Sequence, residues 1–202
     1  MRRTDIINYL IDNHEYKRYL EIGLGDANDN FNKVIVDLKH SVDPTSGPSI
    51  PTFVGTSDNF FLQLPENEKY DIIFIDGLHE AKQVYNDMNN ALKNLTDGGT
   101  IVCHDINPHT EFMQRGEQGG IGGEWTGDAW KAWVKLRSDR PDLFMRVVDT
   151  DYGCGVIQRD FGSPVGIFLC ASAILDYDML VANRVDLLNL IAVEEFLAED
   201  KN

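Results

Sequence analysis

The run Tyr70-Asp-Ile-Ile-Phe-Ile-Asp76 limits what this chain can fold into more than any other stretch. Unbroken apolar side chains bounded by aspartates leave no wet face, so the segment belongs in the middle of a sheet covered on both sides. Short apolar strands alternating with amphipathic helices supply that coverage, and the rest of the chain has this alternation. Thr4 is placed to cap a helix carrying Ile6, Ile7, Leu10 and Ile11 on one face, and Arg18–Ile22 reads as a strand ending at Gly23-Leu-Gly25. Phe31, Val34, Ile35 and Leu38, at i, i+3, i+4 and i+7, predict a second helix leading into strand Ser41-Val-Asp43, with Thr52-Phe-Val54 as the next strand.

After Asp76, the stripe Val84, Met88, Ala91, Leu92 and Leu95 predicts a helix ending at Asp97-Gly98-Gly99, where glycine supplies a left-handed cap. Thr100–Cys103 follows as a fifth strand. Residues 115–127 hold too many glycines for regular structure and predict a mobile loop, placed to act as a lid or to serve as a plain surface connection. A Trp-bearing helix over 128–137 comes next. Then Leu143–Val148 and Cys154–Ile157, joined by a turn at Asp151-Tyr-Gly153, predict an antiparallel pair at one sheet edge. Leu180, Leu187, Leu188 and Ile191 predict a helical tail. The fold class is α/β: a Rossmann-like, doubly wound, mostly parallel sheet in one domain over 1–202, with a core of about 18–160 and a C-terminal extension from about 161. That extension is expected to bury a sheet edge or form a homodimer interface.

Charge narrows the partners. With 33 acidic and 18 basic side chains the formal net charge is −15, which disfavours nucleic acid, whose affinity comes from Lys and Arg neutralising phosphates. The longest apolar stretch, Pro164–Leu175, is too short for the roughly 20 residues that cross a bilayer, so no membrane partner is expected. The N-terminus lacks the pattern of a signal peptide, and Cys103, Cys154 and Cys170 make no disulfide framework, so a cytoplasmic protein is expected.

Ligands of open parallel sheets bind beyond the carboxyl ends of the strands. Five successive strand ends carry glycine or polar residues there: Glu21 to Gly25, Asp43, Gly55-Thr-Ser-Asp58, Asp76-Gly-Leu-His79 and His104-Asp105. Gly23 and Gly25 allow close backbone approach, and Asp43 is placed to accept both hydroxyls of a ribose. Asn28 stands where the dinucleotide fingerprint has its third glycine, which counts against NAD and favours a nucleoside without phosphates.

In order and content, Tyr19-Leu-Glu-Ile-Gly-Leu-Gly25, Val42-Asp-Pro44, Tyr70 to His79, Leu95-Thr-Asp-Gly-Gly99 and Cys103-His-Asp-Ile-Asn-Pro108 resemble the class I S-adenosylmethionine-dependent methyltransferases, over roughly residues 18–160. The Asp-Gly-x-His and His-Asp signatures resemble a bacterial subgroup of small enzymes, methyltransferase family 24. The resemblance implies a seven-stranded sheet of order 3-2-1-4-5-7-6 with the last strand reversed. It implies that Glu21, Gly23 and Gly25 line the methionine end of the cofactor, Asp43 the ribose, Ser57 and Asp58 the adenine, and Asp76 the methionine amine. It also implies O-methylation of a small-molecule or carbohydrate-like acceptor. Asp76, His104 and Asp105 match the positions that carry a divalent metal in catechol-type relatives. An imidazole at 104 suits manganese, iron or zinc better than magnesium, and His79 would complete a four-ligand set.

Several alternatives stay open on sequence. His79 is a catalytic base, at the position of the catalytic lysine in the catechol-type enzymes, or a helix cap. His104 is a metal ligand or a metal-free base. Trp130 and Trp133, at helical spacing, read as core, while Trp125 is free to floor an acceptor pocket, with His109 and Glu111 as weaker acceptor contacts. The rival functions are an NAD-dependent oxidoreductase and a cofactor-binding module without chemistry.

Overall fold

The computed structural model describes residues 1–115, 124–159, 166–167 and 174–199. Its strands are β1 (Arg18–Ile22), β2 (Leu38–Asp43), β3 (Phe53–Val54), β4 (Tyr70–Ile75), β5 (Leu95–Cys103), β6 (Phe144–Val148), β7 (Cys154–Gln158) and β8 (Leu190–Ile191). They form one sheet of order β3-β2-β1-β4-β5-β7-β6-β8. β7 runs antiparallel to both β5 and β6, as expected for a reversed last strand, and the remaining pairs are parallel.

β4 occupies the centre and is covered on both faces. Ile73 and Ile75 pack with Val84, Met88 and Ala91 of α3 (Ala81–Lys93) and with Trp130 and Trp133 of α4 (Ala129–Asp139). Ile72 and Phe74 face the opposite layer, with Ile6, Ile7 and Leu10 of α1 (Arg3–Asn13). Each layer takes alternate residues of the same strand, as the two-residue period of β structure requires. Trp130 and Trp133 are fully buried, which settles them as core.

The structure corrects five sequence expectations. The stretch after β1 is not a helix: it holds one 3₁₀ turn, Phe31–Lys33, and Leu38 already belongs to β2. Asp and Asn side chains satisfy the local backbone and one another there, with Asp26 accepting from the Asn28 N–H and Asn32 donating to Asn28, which competes with helical pairing. Thr4 lies inside α1, whose cap is Arg2, and donates instead to Asn30. α3 ends at Lys93, because Leu95 is drawn into the sheet opposite Tyr70. The sheet has eight strands rather than seven. The eighth exists because Asn189, in the left-handed region at φ 52°, ends α5 (Tyr177–Leu188) and turns Leu190 and Ile191 alongside β6. Ile191 is therefore strand, not helix. The C-terminal extension thus covers a sheet edge, and Phe196 of α6 (Val193–Glu199) is fully buried against Tyr9. Most of the glycine-rich loop, 116–123, and much of the apolar stretch at 164–175, with Cys170, lie outside the described residues. No helix among the described residues is long and apolar enough to cross a membrane.

Candidate active site

Hydrogen bonding continues past the last paired residues of the central strands, which aligns the next residues in a row. Gly23 N donates to Val42 O, Asp76 N to Ile22 O and His104 N to Ile75 O, at 2.8, 2.8 and 3.0 Å. Gly23 is therefore pressed against Asp76. At φ +90° a Cβ on Gly23 would stand 2.1 Å from the Asp76 carbonyl oxygen, so only glycine fits.

Beyond this row opens a cavity of about 460 Å³, within the range of small-molecule sites. It brings together Gly23, Gly25, Asp43, Ser57, Asp58 and Asp76, six of the residues nominated on sequence, with Ile22, Val42 and Leu78 as apolar wall. Asp43 Oδ2 accepts from the N–H groups of Leu24 and Gly25, and Oδ1 accepts from Thr45. Burial alone would raise the Asp43 pKa, but these bonds outweigh it and hold the carboxyl below its ordinary value. Glu21 does not line the cavity. It is 1% exposed behind the glycine loop, where Tyr19 and Asn30 donate to Oε2, and burial pushes its pKa up to about 7.

Two cavity residues were missed on sequence. Asp87, 1% exposed on α3, is pushed up to about 6 by burial, and Gln83 bridges it to Ser57 and Asp58. The signal was an acid three residues after Val84, on the face of α3 that turns to the core.

Asp76 also belongs to a second, charged cluster. Its Oδ1 lies 3.2 Å from His79 Nε2 and 3.2 Å from His104 Nδ1. Asp105 Oδ2 is 3.2 Å from His79 Nδ1, and its Oδ1 is 3.3 Å from His104 Nδ1. Burial would raise Asp76, but the two imidazoles outweigh it and hold it well below the carboxylate range. Burial would lower both histidines, yet the surrounding carboxylates, Asp76 foremost, raise them. His79 is not a helix cap. Asp128 Oδ1 caps α3 by accepting from the Ala81 N–H, and Gly127, at φ +56°, lets that loop close onto His79. Trp125 stacks on the His79 ring at 4.9 Å between centroids. His109 and Glu111 are exposed; His109 lies beside Tyr152, and both border a separate open cavity of about 440 Å³ with Glu124 and Asp151, whereas Glu111 pairs with Arg115.

Residues 8–106 match the family model for a methyltransferase domain. That segment, just under half of the chain, is a methyltransferase domain. The chain's fold agrees with solved methyltransferase structures of low identity. An O-methyltransferase from Bacillus cereus in complex with SAH is 14% identical, with a TM-score of 0.55 over 77% of this chain and 79% of that one. The O-methyltransferase TomG from Streptomyces achromogenes, in complex with SAM, is 13% identical, with a TM-score of 0.58 over 78% and 79%. The MycE methyltransferase of the mycinamycin biosynthetic pathway, in complex with Mg and SAH, is 13% identical, with a TM-score of 0.50 over 88% of this chain and 53% of that one. A search of curated protein sequences finds no match. The oxidoreductase alternative gains nothing from these likenesses, and the methyltransferase domain lacks the feature it needs: a single 3₁₀ turn follows the glycine loop, in place of the helix whose N-terminus binds a pyrophosphate.

Proposed function

We propose that the protein transfers the methyl group of S-adenosylmethionine to an oxygen of a small-molecule or carbohydrate-like acceptor, assisted by a divalent cation. The observation that carries this reading is that Asp76 belongs to both the cavity and the charged cluster, so a donor in the first would meet an acceptor at the second. Methyl transfer is an in-line displacement that demands alignment and, for a hydroxyl acceptor, a place for its proton. Gly23, Gly25 and Asp76 would take the methionine end, Asp43 the ribose, and Ser57 and Asp58 the adenine edge. Glu21 would support the loop from behind through Asn30.

The cluster's chemistry fits a cation. Asp76, Asp105 and Asp151 gather three carboxylates around His104, and a divalent ion at Asp76 and Asp105 would take over the counter-charge that the two imidazoles, drawn toward protonation, otherwise supply. Ligand atoms of Asp76, His79 and Asp105 lie close enough together to share one ion, and His104 Nδ1 stands 3.2 and 3.3 Å from Asp76 Oδ1 and Asp105 Oδ1. Nδ1 of His79 is buried 3.2 Å from Asp105 Oδ2 without a well-aligned hydrogen bond among the described residues. Asp76, His104 and Asp105 would hold the ion, which when bound polarises the acceptor oxygen and makes its proton easier to remove. His79 is the base. Its side chain is 16% exposed against 4% for His104, so it is the imidazole an acceptor can reach. Asp76 and Asp105 flank it and stabilise the imidazolium that forms.

Calorimetric titration with S-adenosylhomocysteine, repeated after chelation and after adding manganese or magnesium, tests this. Micromolar binding, with turnover that falls on chelation, supports it. No heat and no thermal shift in any condition ends the cofactor reading. Binding without turnover on any hydroxyl acceptor favours a module that kept the cofactor site alone. His104→Ala should abolish cation binding and His79→Ala should leave it intact; the reverse would exchange their roles.

A further inference from the structure

One part of the cavity wall is made by Ser57 and Asp58, at the start of α2 (Ser57–Gln63), and by Gln83 and Asp87 of α3. Positions i and i+4 of a helix share a face, so Gln83 and Asp87 meet α2 together. Gln83 Nε2 lies 3.1 Å from Asp87 Oδ1, 3.2 Å from Ser57 Oγ and 3.3 Å from Asp58 Oδ1. Two amide hydrogens are thus shared among three oxygens. The Ser57 hydroxyl, which accepts from Gln83, gives its own hydrogen to Asp87.

These partners fix which way the amide faces. A carboxylate only accepts, whereas a primary amide donates at nitrogen and accepts at oxygen. Asp87 is 1% exposed; burial pushes its pKa up to about 6 against the bonds from Ser57 and Gln83, with Asp58 adding to the rise, so at neutral pH it is a carboxylate. Turning the Gln83 amide over would set its oxygen against two carboxylates and take a donor away from a buried one, which is costly. The nitrogen therefore stays on the Asp87 side. No described residue donates to Oε1, which leaves a free acceptor on a side chain that lines the cavity.

The charge of the wall has the same sense. Among the described residues, every charged side chain lining the cavity is an aspartate: Asp43, Asp58, Asp76 and Asp87. A ring carbonyl or a phosphate placed beside Gln83 would meet oxygens alone, while an exocyclic amine supplies the hydrogens that these oxygens lack. Adenine carries such an amine at its 6-position. Hypoxanthine, with oxygen in its place, presents one more acceptor.

We propose that Gln83 is a specificity-determining residue of the cofactor site: its Oε1 accepts from the exocyclic amine of adenine, and Asp87 is the positioning residue that holds the amide in that orientation. The inference rests on the cofactor reading above and deepens it. A site built to accept a hydrogen rejects the analogue that lacks it, because its own buried groups are then left unpaired.

Calorimetric titration compares S-adenosylhomocysteine with S-inosylhomocysteine, its hypoxanthine analogue, in wild type, Gln83→Met and Asp87→Asn, with adenosine and inosine as shorter probes and thermal unfolding as the control. Wild type should prefer S-adenosylhomocysteine by roughly tenfold or more. Gln83→Met removes the acceptor at similar length and should bring the two affinities within about threefold of each other. Asp87→Asn keeps shape, but its amide can donate to Oε1 and let the Gln83 amide turn, so the preference should shrink there too, by about threefold or more. The wild-type ratio needs no variant and decides first: a ratio near one overturns the proposal, as does a ratio that Gln83→Met leaves unmoved. If Asp87 only braces α3 against α2, Asp87→Asn will change both affinities by one factor at an unchanged ratio, which overturns its positioning role. Should wild type bind neither homocysteine compound, the cofactor reading fails by itself. The nucleosides then decide: adenosine bound better than inosine by wild type but not by Gln83→Met upholds the role of Gln83, and any other pattern, absence of binding included, overturns it.

Discussion

The two halves of the site are made in opposite ways. The cavity half is built from backbone and open space: glycines at positive φ, an apolar wall, and carboxyls such as Asp43 that the protein's own N–H groups hold in place. The cluster half is built from charged side chains with hardly any space, drawn from β4, β5, the β6–β7 turn and α1. A cavity of the first kind selects by shape and tolerates small changes in its walls. A cluster of the second kind depends on each partner, because a buried charge that loses its counter-charge is left costly. Asp76 is the hinge between them, and the contrast can be broken from either side.

The largest expected effect falls on the backbone half. Gly23→Ala forces a Cβ to within 2.1 Å of a carbonyl oxygen that the sheet holds fixed, at a φ of +90°. Combined strain and overpacking should cost about 3 kcal/mol or more, read as a collapse of the thermal transition together with loss of S-adenosylhomocysteine binding. On the cluster half, His79→Ala should leave cofactor affinity within about twofold and lower turnover roughly 10²- to 10⁴-fold, the usual worth of a general base. If turnover survives within a few-fold, the proton leaves by another route and His79 merely pairs Asp76 with Asp105.

The same contrast explains what could be read from the sequence. The backbone half was legible because strand ends and glycines are local signals: Gly23, Gly25, Asp43 and Asp76 follow apolar runs, and the topology puts such positions on one edge. Asp76, His79, His104 and Asp105 were legible for the same reason. Arg3 and Asp151 were not, because they reach His104 from 101 and 47 positions away in the chain, and only the packing of α1 and the β6–β7 turn brings them there. The second helix failed for the opposite cause: its apolar period was real, but the Asp and Asn side chains of 26–32 outcompeted it locally. β8 is two residues long, and its pairing depends on one left-handed asparagine.

Glu21 probes how the halves share a buried charge. Its folded pKa of about 7 lies above the ordinary value of 4.5, raised first by burial and lowered in part by the bonds from Tyr19 and Asn30. The native state therefore holds a proton that the unfolded chain releases. This penalty is absent below pH 4.5, grows as pH rises, and is fully present above pH 7, where it is on the order of 3 kcal/mol at most. Glu21→Gln keeps an acceptor for Tyr19 and Asn30 without the charge. It should match wild type in urea at pH 4 and exceed it at pH 8. Equal midpoints at both pH values would mean that the carboxyl is ionised at no cost.

The smallest effect should come two residues from the largest. Gly25 also has positive φ, at +51°, yet a Cβ there meets nothing within 4 Å, because the position opens onto the cavity instead of the sheet. Gly25→Ala should therefore cost only the left-handed conformation itself, about 1–2 kcal/mol, with the fold intact. Its Cβ would enter the space assigned to the methionine end, so cofactor affinity should fall more than stability does. Asn at this position tolerates the left-handed region, and Gly25→Asn separates the two costs: recovered stability without recovered affinity assigns the loss to space, while recovery of both assigns it to backbone conformation. If neither variant alters S-adenosylhomocysteine binding, the cofactor does not reach Gly25, and the glycine that matters in this loop is Gly23 alone.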